Sequence, residues 1–146
     1  MIDALGREPD GRFRLTTDVG TQFLCKVVVI AAGGGSFTPK KAPIESIDEY
    51  EGKSVFYAVR KREQFRDKNL VIVGGGDSAL DWTIFLANVA DQVTLIHRRQ
   101  ELRGAPDSVE KVLELAHAGK ISLLTDSQAV GLNGNGKLTD VIVRHN

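Results

Sequence analysis

Cysteine, methionine and tryptophan each occur once in the 146 residues, and proline only four times. With Cys25 alone no internal disulfide can form. Dithiol exchange needs an attacking thiolate and a second sulfur, so that chemistry is excluded too. Neither sign of charge is in excess: 19 Lys and Arg against 19 Asp and Glu leave a net charge of zero, which argues against a nucleic-acid partner. No apolar run approaches the roughly 18 residues of a membrane span. Met1-Ile2-Asp3 places an acid where the basic region of a signal peptide is expected, so the sequence reads as cytoplasmic. His117 and His145 have no companions at metal-ligand spacing. Composition, 42% hydrophobic, suffices for one core and not for two full domains.

What is present concentrates in the middle of the chain. Asn69-Leu70-Val71-Ile72-Val73 reads as a strand and runs into Gly74-Gly75-Gly76-Asp77-Ser78-Ala79, a Gly-x-Gly-x-x-Ala turn followed by a helical pattern. Such a turn holds a pyrophosphate. Gly74 permits the tight turn, Gly76 lets the backbone approach the phosphates, and Ala79 keeps helix and strand close. The helix N-terminus then offers unpaired N–H groups and the positive end of its dipole to the anion. A site for the unphosphorylated dinucleotide normally carries an acid about 20 residues later for the ribose 2′-hydroxyl. Here the second strand, Gln92 to Ile96, ends on His97, Arg98 and Arg99, with Arg103 beyond. Guanidinium groups pair with a 2′-phosphate in two places, so the cofactor expected is NADPH. The candidate cofactor-binding residues are therefore Gly74, Gly75, Gly76, Asp77, Ser78, Ala79, His97, Arg98, Arg99 and Arg103; no catalytic residue is singled out.

Other segments supply the surroundings. Arg12–Thr17 and Thr21–Ile30 are strand-like and joined by a hairpin turn at Asp18-Val19-Gly20, with Cys25 expected as a buried, unreactive strand residue. Ala31 to Gly35 reads as a hinge, and Pro39, Lys40, Lys41 and Pro43 as linker. Ser54 to Tyr57 is a possible short strand. A helix is expected over Ser78–Val89 with Leu80, Ile84, Leu86 and Val89 on its apolar face. A second helix begins at Pro106, buries Val109, Val112, Leu113, Leu115 and Ala116, and stops at Gly119. Ile121–Leu124 reads as a further parallel strand. Ala129–Leu132 and Leu138–Val143 read as a hairpin around Asn133-Gly134-Asn135-Gly136. The fold class expected is α/β: a Rossmann-like parallel sheet with flanking helices and an appended β-hairpin or meander.

Several residues have two readings. His97 either contacts the 2′-phosphate or simply ends the strand. Trp82 packs near the cofactor or in the core. Arg60, Lys61, Arg62, Arg66 and Lys68 form either a docking patch for an acidic electron carrier or a solvated basic face. Asp77 or Ser78 can cap the first helix, and Asp81 fits the reach-back position of a capping box.

Gly-Gly-Gly-Asp-Ser-Ala-Leu-Asp-Trp at 74–82, His-Arg-Arg at 97–99 and Arg103 resemble the NADPH-binding domain of ferredoxin (flavodoxin)–NADP⁺ reductases of the thioredoxin-reductase fold, in the pyridine nucleotide-disulfide oxidoreductase superfamily. The likeness extends over Tyr50-Glu51-Gly52, Val55 to Val59 and Ala105 to Val109, and so over most of the chain. It implies an FAD domain interrupted by the NADPH domain, with Ala31-Ala32-Gly33 ending the first FAD section. On that basis residues 1–35 are a remnant of FAD-domain strands and hinge, and 36–146 the NADPH-binding domain. The resemblance further implies FAD only in the intact protein, hydride passing from NADPH to flavin, and ferredoxin or flavodoxin as electron acceptor, with homodimerisation possible. Thioredoxin reductases carry Cys-x-x-Cys just before the glycine turn; Phe56 to Arg62 has no cysteine. A free-standing NADPH-binding module without catalysis, or a reductase of another acceptor, are the alternatives.

Overall fold

The computed structural model describes residues 1–31 and 41–146 and divides into two units, residues 1–38 and 39–146. The expected hinge at Gly33–Gly35 and the linker residues Pro39 and Lys40 lie outside the described residues.

The first unit is an antiparallel meander of β1 (Ile2–Arg7), β2 (Phe13–Thr17) and β3 (Gln22–Cys25), in that order. Gly20, at φ +81°, and the Thr17 hydroxyl, which accepts the Thr21 N–H at 3.0 Å, shape the β2–β3 turn. The strand expected to reach Ile30 stops at Cys25, where the ladder with Phe13 ends. Cys25 is half-buried, its Sγ facing the Phe13 carbonyl at 3.8 Å, which corrects the expectation of full burial. β1 was not expected: Ile2 to Arg7 mixes glycine, alanine and polar residues, and pairing with β2 makes it a strand despite a register shift between Ile2 and Ala4. At the β1–β2 connection, Arg14 bonds Glu8 at 2.6 Å and Arg12 meets Asp10 at 2.7 Å. Each guanidinium, chiefly by its hydrogen bond, holds its carboxylate below the usual range.

The second unit carries the α/β layers. Parallel strands β4 (Asn69–Val73), β5 (Gln92–Ile96) and β6 (Ser122–Leu124) lie in the order β4-β5-β6, with Leu70 beside Val93 and Ile96 beside Leu124. The short helix α1 (Ile47–Tyr50) precedes them, and α2 (Asp77–Leu86) and α3 (Pro106–His117) form the crossovers. Leu80, Leu86, Val89, Val93, Leu95, Val112 and Ile121 make one core with Phe65, which a single 3₁₀ turn at Arg62–Phe65 brings in. Each fully buried aliphatic side chain contributes about 1.5–3 kcal/mol. Thr83, also fully buried, hydrogen-bonds the Ala79 carbonyl at 2.7 Å. Finally β7 (Ser127–Gly134) and β8 (Leu138–His145) form the hairpin, closed through Gly136 at φ +72°.

Three expectations are corrected here. Ser54–Tyr57 is not a strand: the N–H groups of Ser54 and Val55 both donate to the Tyr50 carbonyl at 2.9 Å, so a turn consumes the donors a ladder would need. The first helix ends at Leu86 instead of Val89, because Val89 N–H closes a tighter turn on Leu86 at 2.9 Å and Asp91 N–H reaches the Lys68 carbonyl at 3.0 Å. Leu113 is exposed, whereas Val112 fills the core from the position before it. Gly119 stops the second helix at φ +70°, as expected.

Candidate functional site

The C-terminal ends of β4 and β5 carry the segments singled out in the sequence. A cleft of about 950 Å³ within the second unit is lined by Gly74, Gly75, Gly76, Ser78, Ala79, Trp82, His97, Arg98, Arg99 and Arg103, together with apolar residues that include Val71, Val73 and Phe56. Nine of the ten candidate residues thus meet on one surface. Asp77 does not line it.

The glycine turn is tight for identifiable reasons. Gly74 has φ +159°, and a Cβ there would stand 2.7 Å from that of Ala79, so strand and helix approach more closely than a side chain allows. A Cβ on Gly75 would enter the His97 imidazole. Gly76 faces open space. Gly74 N–H donates to the Ile96 carbonyl at 3.0 Å, and the Gly76 carbonyl opens the helix by accepting from Ala79 at 3.0 Å and Leu80 at 3.1 Å. Gly76 is the N-cap and no side chain caps the helix, which corrects the expected capping by Asp77 or Ser78. Among the described residues the N–H groups of Gly76, Asp77 and Ser78 meet no acceptor. They are free to bind an anion on the positive end of the helix.

His97 is buried, and its Nε2 donates to the Glu101 carbonyl at 3.1 Å, folding the basic loop back on itself. Its ring lies against Gly75, so it supports the turn from within. The loop's backbone is held on several sides. Ser127 N–H reaches the His97 carbonyl at 3.0 Å, the Asn146 side chain the Arg98 carbonyl at 3.2 Å, Asp126 N–H the Arg99 carbonyl at 3.3 Å, and Arg103 N–H the Gly75 carbonyl at 2.6 Å. With the backbone so engaged, the exposed side chains of Arg98, Arg99 and Arg103 make no hydrogen bond or ion pair among the described residues. Unpaired guanidinium groups beside free helix-end amides suit a phosphorylated ligand.

The remaining candidates divide. Trp82 is half-buried, lining the cleft while packing on the core, and meets the Phe85 ring edge-to-face at 5.6 Å. Asp81 takes no part in a capping box; its Oδ1 accepts from the Ser108 hydroxyl of α3 at 3.2 Å. In the basic stretch Arg66 and Arg62 pair with Glu63 at 2.6 and 3.2 Å, and Arg62 also stacks over Phe85 at 5.2 Å. The Arg66 hydrogen bond holds Glu63 below the usual carboxylate range. Tyr57 donates to Glu51 at 2.8 Å, and desolvation, then that carboxylate, push its phenol upward. Ser127 and His145 lie 3.2 Å apart, but the Ser127 hydroxyl gives its proton to the Thr125 carbonyl at 2.7 Å and is no activated nucleophile. No cluster of three metal-ligating side chains occurs among the described residues. Sequence reasoning missed the anchoring partners Ser127, Asn146 and Gly104; only the glycine at 104, inside a basic loop, was a visible signal.

Comparison with known proteins agrees with this geometry. The family model described as pyridine nucleotide-disulphide oxidoreductase matches residues 6–146. Ferredoxin–NADP reductase 1 of Christiangramia forsetii is 54% identical over 143 residues, covering 98% of this chain and 40% of that protein. The ferredoxin–NADP reductase of Bradyrhizobium diazoefficiens is 55% identical over 147 residues, covering 100% of this chain and 43% of the relative. The chain therefore spans about two fifths of the length of these relatives. Among solved structures, thioredoxin reductase of Lactococcus lactis superposes with a TM-score of 0.74 at 26% identity, over 99% of this chain and 46% of that one. T. acidophilum thioredoxin reductase shares the fold, with a TM-score of 0.75 at 22% identity over 99% of this chain and 45% of that one. The chain, with its glycine turn, parallel strands and arginine-bearing loop, belongs to the pyridine nucleotide-disulphide oxidoreductase family.

Proposed function

We propose that this chain is the NADPH-binding section of an FAD-dependent oxidoreductase that passes hydride from NADPH to the flavin and electrons on to ferredoxin or flavodoxin. The observation that carries the nucleotide assignment is the set of three guanidinium groups, Arg98, Arg99 and Arg103, that have no partner among the described residues and lie on the same cleft as the uncapped start of α2. The acceptor rests on the names of the relatives, ferredoxin–NADP reductases at 53–55% identity.

In this reading the pyrophosphate lies on the amides of Gly76, Asp77 and Ser78, with Gly74 and Ala79 keeping the helix close. Arg98, Arg99 and Arg103 pair with the 2′-phosphate, and His97 supports Gly75 from below. The bound nicotinamide supplies the hydride; this chain's residues bind and orient the dinucleotide. Residues 36–146 form the NADPH domain, and 1–35 belong with the FAD-binding part, whose layers would cover the exposed Phe23 and Leu24. The site of action is the cytoplasm.

Calorimetric titration of the chain with NADP⁺ and NAD⁺ at low and moderate salt tests the assignment. Preference for NADP⁺ that weakens with salt is expected, since partly exposed ion pairs are screened. Equal affinity for both, or none for either, overturns it. Flavin absorbance in the purified chain would overturn the placement of FAD in other parts of the protein.

A further inference from the structure

Asp77 offers its amide with those of its neighbours, but its carboxylate is engaged elsewhere, on the Ala105 N–H. We propose that Asp77 is a positioning residue: by tying the start of α2 to the start of α3 it holds Arg103 in register with the glycine turn, and so sets discrimination between a 2′-phosphorylated and an unphosphorylated dinucleotide. The proposal rests on the nucleotide reading above.

The geometry is that of a capping device shared between two helices. Asp77 Oδ1 accepts the Ala105 N–H at 2.7 Å, across 28 positions of sequence. Ala105 is the N-cap of α3 and has no side chain with which to cap it. In a capping box the third helical residue reaches back to the N-cap N–H with a Glu or Gln. Here that position is Ser108, which turns away and donates to Asp81 of α2 at 3.2 Å. The acceptor missing from α3 is thus supplied by the first residue of α2. Two residues earlier, Arg103 N–H bonds the Gly75 carbonyl at 2.6 Å. Between the two bonds Gly104 lies flat against α2, where a Cβ would collide with Leu80 and stand 3.3 Å from Asp77 Oδ1. Arg103 to Ala105 is therefore pinned to the glycine turn at both ends, and the Arg103 guanidinium projects from a backbone fixed relative to the phosphate-facing amides.

Charge and tie can be separated by experiment. A carboxylate in the first turn of α2 competes with an incoming pyrophosphate for the same positive helix end, so removing its charge tightens both dinucleotides alike. Losing the tie weakens only the one that carries a 2′-phosphate. The affinities of the full chain and its variants for NADP⁺ and NAD⁺, read calorimetrically, distinguish the two. Asp77→Asn keeps an Oδ1 acceptor and is expected to leave the NADP⁺/NAD⁺ ratio at the parent value. Asp77→Ala is expected to lower it about tenfold, the lower range for losing a hydrogen bond to a charged group. Ala105→Pro removes the donor while leaving the Asp77 charge; φ −54° and ψ 141° at Ala105 suit proline, so this variant tests the tie even if Asp77→Ala does not fold. It is expected to lower the ratio as Asp77→Ala does. In an Arg103→Ala background neither change should move the ratio further.

An unchanged ratio in Asp77→Ala and Ala105→Pro, even with a lowered melting temperature, reduces the bond to a purely structural one and overturns the proposal. An equal fall in Asp77→Asn overturns it as well, because charge and not the acceptor would then be responsible. If the parent chain shows no preference for NADP⁺, the cofactor reading itself fails and takes this proposal with it; that outcome is recognised before any variant is made.

Discussion

The sheet of residues 2–25 and the sheet of residues 69–124 are each three-stranded, yet they are built on different physics. The first is antiparallel, its strands joined by short connections, and no residue in it is buried: Ile2, Leu5, Phe23 and Leu24 are about half exposed or more. The second is parallel, so its strands require helical crossovers, and those crossovers bury Val93 and Leu95 almost completely on one face, while Val71 and Val73 stay exposed on the face that lines the cleft. A hairpin's form is specified by its turn and ladder, whereas a parallel sheet exists only together with the layer that covers it. The lesson for function is that the precise part of this chain is where side chains are trapped between layers. The glycine turn and arginine loop sit at the end of that covered sheet, on backbone that packing and hydrogen bonds determine from several directions.

The largest test of the contrast lies in the cores. Leu80→Ala or Leu95→Ala, each at a side chain with no exposed surface, is expected to cost about 2–5 kcal/mol of unfolding free energy, while Leu5→Ala in the first sheet stays within about 0.5 kcal/mol. Urea unfolding followed by circular dichroism measures both, and similar costs at the two sites would break the comparison. Next comes the turn. Gly75→Ala drives a methyl group into the His97 ring and is expected to destabilise by about 1–3 kcal/mol and to abolish NADP⁺ binding. His97→Ala in the same chain should restore part of the stability, and strict additivity in a double-mutant cycle would refute the contact.

Arg98→Ala is expected to reduce NADP⁺ affinity by about 1.5–3 kcal/mol and to leave NAD⁺ nearly unchanged, as calorimetry would read. An equal loss for both cofactors would sink the pairing of Arg98 with the 2′-phosphate. The smallest effect belongs to the first sheet. Glu8 and Asp10 titrate below their ordinary range because Arg14 and Arg12 hydrogen-bond them, so their contribution is present above the usual carboxylate pKa and disappears as acid protonates the folded form. Solvent reaches both pairs, so the effect is slight; Glu8→Gln should flatten the acid side of the first sheet's stability profile and leave its neutral value nearly unchanged, as urea unfolding at a series of pH values would show.

Much of the architecture was legible in the residues. The apolar run into Gly74, the strand at Gln92–Ile96, the helix between Pro106 and Gly119 and the hairpin around Gly136 are all written in local terms: periodicity, proline at a helix start, glycine at positive φ. Errors arose where the expected pattern lost to backbone hydrogen bonds that it does not encode. Residues 54–57 turn instead of extending because the nearby Tyr50 carbonyl takes the Ser54 and Val55 donors, and Ile2–Arg7 extends despite weak propensity because β2 offers a ladder.

The same division holds at the site. Sequence alone determined which groups are available, a glycine turn of the kind that suits a pyrophosphate and a cluster of arginines, because those properties belong to single residues and short spacings. Only the tertiary structure decided how the parts bear on one another. Asp77 serves α3 and leaves its own helix without a side-chain cap, His97 faces inward beneath Gly75, and the arginine side chains have no partner among the described residues while their backbone is held by residues near 126 and 146. Those outcomes depend on which groups meet across 20 or more positions of chain, and that is fixed by how α2, α3 and the hairpin pack about the parallel strands.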